Sequence, residues 1–179
     1  AGDIFEQVKY PLDSEISSEE LCKKLADESY GVLAKVLEAA TSLKLPRTPQ
    51  KHSESSYAPK LTKENGALNW QEPNEKLYNQ VRGLLPWPVA YTHCDDELLQ
   101  ILKAHCVSDG VSTKKPGEIV SIDSEEKGIK VQTGSGILLL LEVKPAGKKR
   151  MSAVDFANGH RLKPGFTFKT LTPPASKKS

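Results

Sequence analysis

Gly128-Ile129-Lys130-Val131-Gln132-Thr133-Gly134-Ser135-Gly136-Ile137-Leu138-Leu139-Leu140-Leu141-Glu142-Val143 is the stretch that decides the fold class. It holds two strand-length runs, Gly128 to Thr133 and Gly136 to Val143, joined at Thr133-Gly134-Ser135-Gly136. Between two strands, Gly134-Ser135-Gly136 reads as a tight turn in which glycine supplies a positive φ, not as a nucleophile or phosphate loop. Ile137 to Leu141 is the longest apolar run in the chain. It is far shorter than the ~20 residues a membrane helix needs and is closed by Glu142.

Working outward, the same pattern repeats. Leu98 to Val107 and Gly117 to Ile122 are two more strand-like runs. Ser108-Asp109-Gly110 and Glu125-Glu126-Lys127-Gly128 supply turn signals between the runs. Trp87-Pro88 opens a further strand, Val89 to Thr92. Five or so short strands in sequence predict a small closed or nearly closed antiparallel β-barrel of the OB type, mainly β with flanking helices. Before it, Pro73 stands at a plausible first helical position. Leu77, Val81 and Leu84, with Tyr78 beside them, make a short amphipathic helix that Gly83 weakens and Pro86 ends. After it, Ser152 with Asp155 forms a capping box, Gly159 lies near the helix end, and Pro164-Gly165 precedes a strand-like Phe166 to Leu171.

The first part of the chain differs. Phe5 to Leu12 reads as a short strand. Ser17 and Glu20 then form a capping box, and Leu21, Leu25, Val32, Val36 and Ala39 recur at helical spacing until Pro46 stops the helix. A strand and one helix cannot build a core alone. Residues 1–44 are therefore expected to be the C-terminal remnant of a larger α/β, Rossmann-like domain, with Leu21, Leu25, Val32 and Val36 partly exposed. Residues 45–66 read as a basic polar linker, 67–171 as the barrel domain and 172–179 as a disordered tail.

Composition excludes several functions. Hydrophobic residues make up 37% and charged residues 27% of 179, a globular composition. Ala1-Gly2-Asp3-Ile4 lacks a basic region followed by an apolar core, so it does not read as a signal peptide. Cys22, Cys94 and Cys106 are odd in number and show no Cys-x-x-Cys spacing, which speaks for reduced thiols over a disulfide framework or zinc site. His52, His93, His105 and His160 are scattered, with surface or strand-packing roles the simpler reading. Asp95-Asp96-Glu97 reads as a solvated turn, not a metal site, and no catalytic constellation stands out.

Charge carries the positive signal. Residues 1–56 balance at −3 and residues 57–171 at +3. From Lys144 to Lys169 seven basic residues accompany one acid, Asp155. Lys144-Pro145-Ala146-Gly147-Lys148-Lys149-Arg150-Met151-Ser152 crowds four cations into a Pro/Gly loop at a helix entry. Such a loop attracts phosphates by charge and hydrogen bonding, or serves merely as a solubilising surface. Trp70, Trp87 and Tyr91 are candidates for stacking on bases, but apolar neighbours favour core packing for all three.

Tyr57 to Glu64 with Leu68-Asn69-Trp70, then Val81-Arg82-Gly83-Leu84-Leu85-Pro86-Trp87-Pro88, resembles the linker and C-terminal domain of the methionyl-tRNA formyltransferase family. The resemblance continues through Pro116-Gly117-Glu118-Ile119, Gly134 to Leu138, Lys144 to Ala153 and Phe156 to Gly165. It implies an enzyme family that moves a formyl group from 10-formyltetrahydrofolate to methionyl initiator tRNA, with the C-terminal domain holding the tRNA. The implied tRNA-contact residues are Lys60, Lys63, Lys144, Lys148, Lys149, Arg150, Arg161 and Lys163, with Arg82 as a contact or a salt-bridge partner. Ala1-Gly2-Asp3-Ile4 resembles the end of the family's Asp-x-Gly-Asp motif, so the catalytic Asp, and the Asn and His of an upstream motif, are expected outside this sequence. No catalytic or metal residue is assigned, no cofactor is expected in this stretch, and the polypeptide is expected to be inactive alone. A monomer in the bacterial cytoplasm, or in an organelle if eukaryotic, is the implied setting. Two alternatives stay open: a free-standing nucleic-acid-binding OB module, and the C-terminal part of another enzyme that uses formyl-tetrahydrofolate.

Overall fold

The computed structural model describes residues 2–42, 45–107 and 113–171. The Ser108-Asp109-Gly110 turn, Leu43, Lys44 and the expected tail at 172–179 lie outside the described residues. The chain divides into two compact units, Ala1–Lys60 and Leu61–Ser179.

The first unit is organised by one helix, α1, Ser18–Thr41. Its start follows the sequence signal: Ser17 accepts a hydrogen bond from the Glu20 backbone N–H, and the Ser17 N–H donates back to the Glu20 carboxylate at 2.9 Å. The Ser17 backbone N–H and then its hydroxyl, both donating to the Glu20 carboxylate, hold that carboxyl below its ordinary range. No residue of α1 is buried; Leu21, Val32 and Val36 are half-exposed, and Leu25, Leu33 and Leu37 are exposed. The expected strand Phe5 to Leu12 does not form. A strand needs a partner for its backbone groups, and only Ile4 finds one, in a single bridge to Thr48. A groove of about 450 Å³ lies between this segment and the helix, lined by residues such as Phe5, Val8, Leu25, Val32 and Val36.

The second unit opens with a single helical turn, Lys63–Gly66, followed by the short helix α2, Asn74–Gly83. Pro73 caps α2 and is not its first helical residue. Six strands follow: β1 Ala90–Cys94, β2 Glu97–Val107, β3 Ile119–Asp123, β4 Gly128–Gln132, β5 Ile137–Pro145 and β6 Met151–Ser152. The last helix is α3, Ala153–Gly159, whose cap Ser152 accepts from the Asp155 N–H. The strands pair antiparallel in the order β1-β2-β5-β4-β3, with β6 also on β5. This corrects the expectation of a closed barrel: no ladder joins β3 to β1, and the sheet is open. Phe166 to Leu171 is not a ladder strand either. It spans the gap by single contacts, with Thr167 bridging Glu118 and Lys169 bridging His93.

The decisive stretch folds as read, as the β4–β5 hairpin. The run of leucines in β5 is continuous because both faces of the strand are covered. Leu138 and Leu140 are fully buried in the main core with Trp70, Leu99, Ile101, Ile129 and Phe156. Leu139, on the other face, pairs in register with His105, on which Tyr78 of α2 stacks. Trp70 is fully buried, donates to Thr92 Oγ1 at 3.1 Å and stacks on Phe168. Trp87, in contrast, is 54% exposed, so core packing fails for it. It sits in the turn before Val89, whose φ of +69° redirects the chain into β1.

Candidate nucleic-acid interface

The basic loop is the connection from β5 to β6. Its ends are pinned: Lys144 and Pro145 pair with Gln100 and Leu99 of β2, and the Ala146 N–H donates to the Leu98 carbonyl at 3.0 Å. Between the pins, Gly147 takes a φ of +69° and the Lys148 N–H donates to the Pro145 carbonyl. This tight turn leaves Lys144, Lys148, Lys149 and Arg150 exposed. Lys144, Lys149 and Arg150 make no ion pair within the described residues, so their charge is available to a partner.

The loop stands beside the β1–β2 turn at Asp95-Asp96, and Glu97 at the start of β2 ties three elements together. One Glu97 oxygen lies 3.8 Å from Lys148 Nζ and the other 2.9 Å from His160 Nε2. His160 caps α3, so the contact brings the end of that helix to the basic loop. Arg161 and Lys163 follow within three residues, and both are exposed. The chain can carry Lys163 at most about 11 Å from His160. A second cation joins from the spanning segment, with Lys169 Nζ 2.8 Å from Asp96 Oδ1. That ammonium holds the Asp96 carboxyl below its ordinary range.

The structure therefore brings Lys148 to the end of α3, with Lys144, Lys149 and Arg150 exposed on or beside the same loop and Arg161 and Lys163 following α3 in the chain. Arg82 is not among them. Its Nε donates to Asn79 at 2.8 Å and its guanidinium lies over the Tyr78 ring, on the helix that leads to the far end of β1. Lys63 lies exposed in a single turn, Lys63–Gly66, before α2, and Lys60 is exposed in the first unit. Sequence reasoning missed Glu97, His160 and Lys169. Glu97 and His160 are 63 residues apart, and no local signal joins them.

No group of three metal-ligating side chains gathers among the described residues. Burial pushes the Cys94 thiol up to about 11, which keeps it protonated and poorly nucleophilic. The groove of the first unit does not suit a folate: its lining is mostly apolar, with Glu6, Glu28 and Ser29 the main polar residues and no cation to meet a folate carboxylate. No described helix is long and apolar enough to cross a membrane.

Residues 60–161 match the family model described as formyl transferase, C-terminal domain. The chain is 38% identical over 165 residues to a methionyl-tRNA formyltransferase of Moorella thermoacetica, covering 92% of this chain and 52% of that protein. It is 40% identical over 167 residues to the enzyme of the same name from Carboxydothermus hydrogenoformans, covering 93% and 53%. The chain thus spans about half the length of the curated relatives it matches. Among solved structures, HypX from Aquifex aeolicus in complex with tetrahydrofolic acid aligns at a TM-score of 0.60 and 18% identity, over 88% of this chain and 27% of that one. WlaRD, a sugar 3N-formyl transferase, aligns at 0.58 and 14%, over 83% and 51%.

Proposed function

The chain belongs to the formyl transferase C-terminal domain family, and on that premise we propose that it is the tRNA-holding part of a methionyl-tRNA formyltransferase. The observation that carries this reading is the exposed β5–β6 loop with Lys148, Lys149 and Arg150, which Glu97 links to the end of α3, where Arg161 and Lys163 follow in the chain. Backbone phosphates are bound by such arrays through charge, which positions an RNA without reading its sequence. An enzyme of a small formyl acceptor gains nothing from that surface, which favours tRNA over the other formyl-tetrahydrofolate users. Lys60, Lys63 and Lys144 extend the contact set, while Arg82 serves α2. The formyl donor in the whole enzyme is 10-formyltetrahydrofolate, bound by residues other than the ones described. The setting this reading implies is a monomer in a bacterial cytoplasm, or in an organelle if the source is eukaryotic.

Filter binding of initiator tRNA across a salt series tests the reading. Wild-type affinity should fall steeply with salt. Replacing Lys148, Lys149 and Arg150 together by Ala should lower the slope of log K against log salt by about 2 to 3, on a slope of roughly 0.7 to 0.9 per phosphate contact. Binding that is absent, or insensitive to salt, would remove the tRNA-holding function.

A further inference from the structure

Trp87 is the aromatic side chain of the second unit that the core leaves outside. Every other aromatic ring of that unit packs against a ring: Trp70 and Phe166 on Phe168, Tyr78 on His105, Tyr91 on His93 and Phe156 on His160. Among the described residues, neither the face of the Trp87 ring nor its N–H has a partner. The loop around it is constrained. The Val89 N–H donates to the Leu84 carbonyl at 3.0 Å, which closes a short loop with Trp87 inside it. Leu84, Pro88 and Val89 are buried, while Pro86 and Trp87 stay exposed. The prolines on either side fix their own φ, so the loop has little freedom to fold the ring onto the core. An exposed indole held in this way meets a partner at small entropic cost. The site also carries charge. The turn Lys63–Gly66 docks on this loop: a Cβ on Gly66 would overlap the Val89 carbonyl, and the Asn65 carbonyl accepts from Gln80 Nε2 of α2 at 2.8 Å. Lys63, at the start of that turn, is exposed and makes no ion pair among the described residues. It brings a cation to the same end of β1 as Trp87. From that end β1 runs to the Asp95-Asp96 turn beside the basic loop, roughly 15 Å of extended chain.

Resting on the tRNA reading above, we propose that Trp87 is a second point of contact with the RNA. Its indole stacks on an unpaired base, Lys63 meets a neighbouring phosphate, and the β5–β6 loop holds backbone at the other end of β1. Phosphate contacts alone bind a polyanion by charge and leave it free to slide. A stacked base adds a fixed point. Every base has a π-face, so the contact sets position and not sequence. A paired helix buries the faces of its bases, so the base belongs to a loop or a single-stranded end. An apolar protein surface would also cover an exposed indole. The cation at the same end of β1, and the basic loop on the same unit, favour a ligand that combines flat faces with phosphates.

Tryptophan fluorescence of the whole chain tests this, because the chain has two tryptophans and Trp70 is fully buried. Initiator tRNA titrated at fixed salt should quench the exposed tryptophan of wild type. Trp87→Phe should abolish the quenching and keep the affinity within about threefold, since a phenyl ring still stacks. Trp87→Ala should weaken binding about 5- to 100-fold, the loss of one stacked base, and leave the slope of log K against log salt unchanged. Wild-type emission that does not change at saturating tRNA overturns the proposal. So does a Trp87→Ala chain that binds as tightly as wild type. Quenching that persists in Trp87→Phe comes from Trp70 and overturns it too, whether or not Trp87→Ala folds. If wild type binds no tRNA at all, the tRNA reading and the stacking contact fail together, whereas salt-sensitive binding with a silent Trp87 sinks the stacking contact alone.

Discussion

Gly134 shows how far a single residue can be read from its neighbours. Its place in Thr133-Gly134-Ser135-Gly136 marks a turn, and a positive φ is the local reason to expect glycine there. Gly136 does take a φ of +83°, but Gly134 is required for another cause. A Cβ on Gly134 would overlap the backbone carbonyl of Gln71, because the β4–β5 turn docks on the chain entering α2. The Gly134 N–H donates to the Glu72 carbonyl and the Asn74 N–H to the Ser135 carbonyl, both at 3.0 Å. Gly134→Ala should therefore cost about 1 to 3 kcal/mol, as forced overpacking does. Gly83→Ala, in a helix with open space around the new Cβ, should gain roughly 0.5 to 1 kcal/mol. Urea midpoints with an unchanged m-value check both; equal effects at the two positions would show that the close approach is not what Gly134 serves.

At the scale of elements, local signals succeeded where the element contains its own hydrogen bonds. α1 and α3 start at their expected caps, since cap residues act within one turn. Phe5 to Leu12 failed for the opposite reason: alternation cannot supply a strand partner. β6 was missed because two residues carry no period, and it exists only through pairing Val143 with Met151 and Glu142 with Ser152. Burial separates the elements further. β5 is buried along most of its length and paired on both sides, whereas α1 buries no residue. Helices without tertiary packing are marginal in water, so α1 should open locally. Amide hydrogen exchange should show β5 protected to the level of global unfolding and α1 exchanging far faster. Equal protection in the two would contradict this.

For the whole molecule, the second unit holds one continuous core from Leu68 to Phe168. Residues 61–171 alone should give one cooperative urea transition with native near-ultraviolet dichroism, and should keep salt-sensitive tRNA binding. A chain that lacks fixed tertiary signals would show that the first unit is needed to fold the second. The basic surface belongs to this scale as well. Its loop was legible because four cations lie within seven residues. Its organising group, Glu97, was not, because it opens a strand whose neighbours say only that a turn is near.

The sequence by itself determined the runs that became β1 to β5, the caps of α1 and α3, the β4–β5 turn and the basic loop, each set by forces that act within a few residues. It also carried the family resemblance, through short motifs kept in order along most of the chain. Only the tertiary structure decided the pairing of β2 with β5, the open sheet, the exposure of Trp87 and the meeting of Glu97 with Lys148 and His160. The strand pairing and the Glu97 contacts join residues about 30 to 63 positions apart, and such contacts follow from how the shared core packs, which no local pattern encodes.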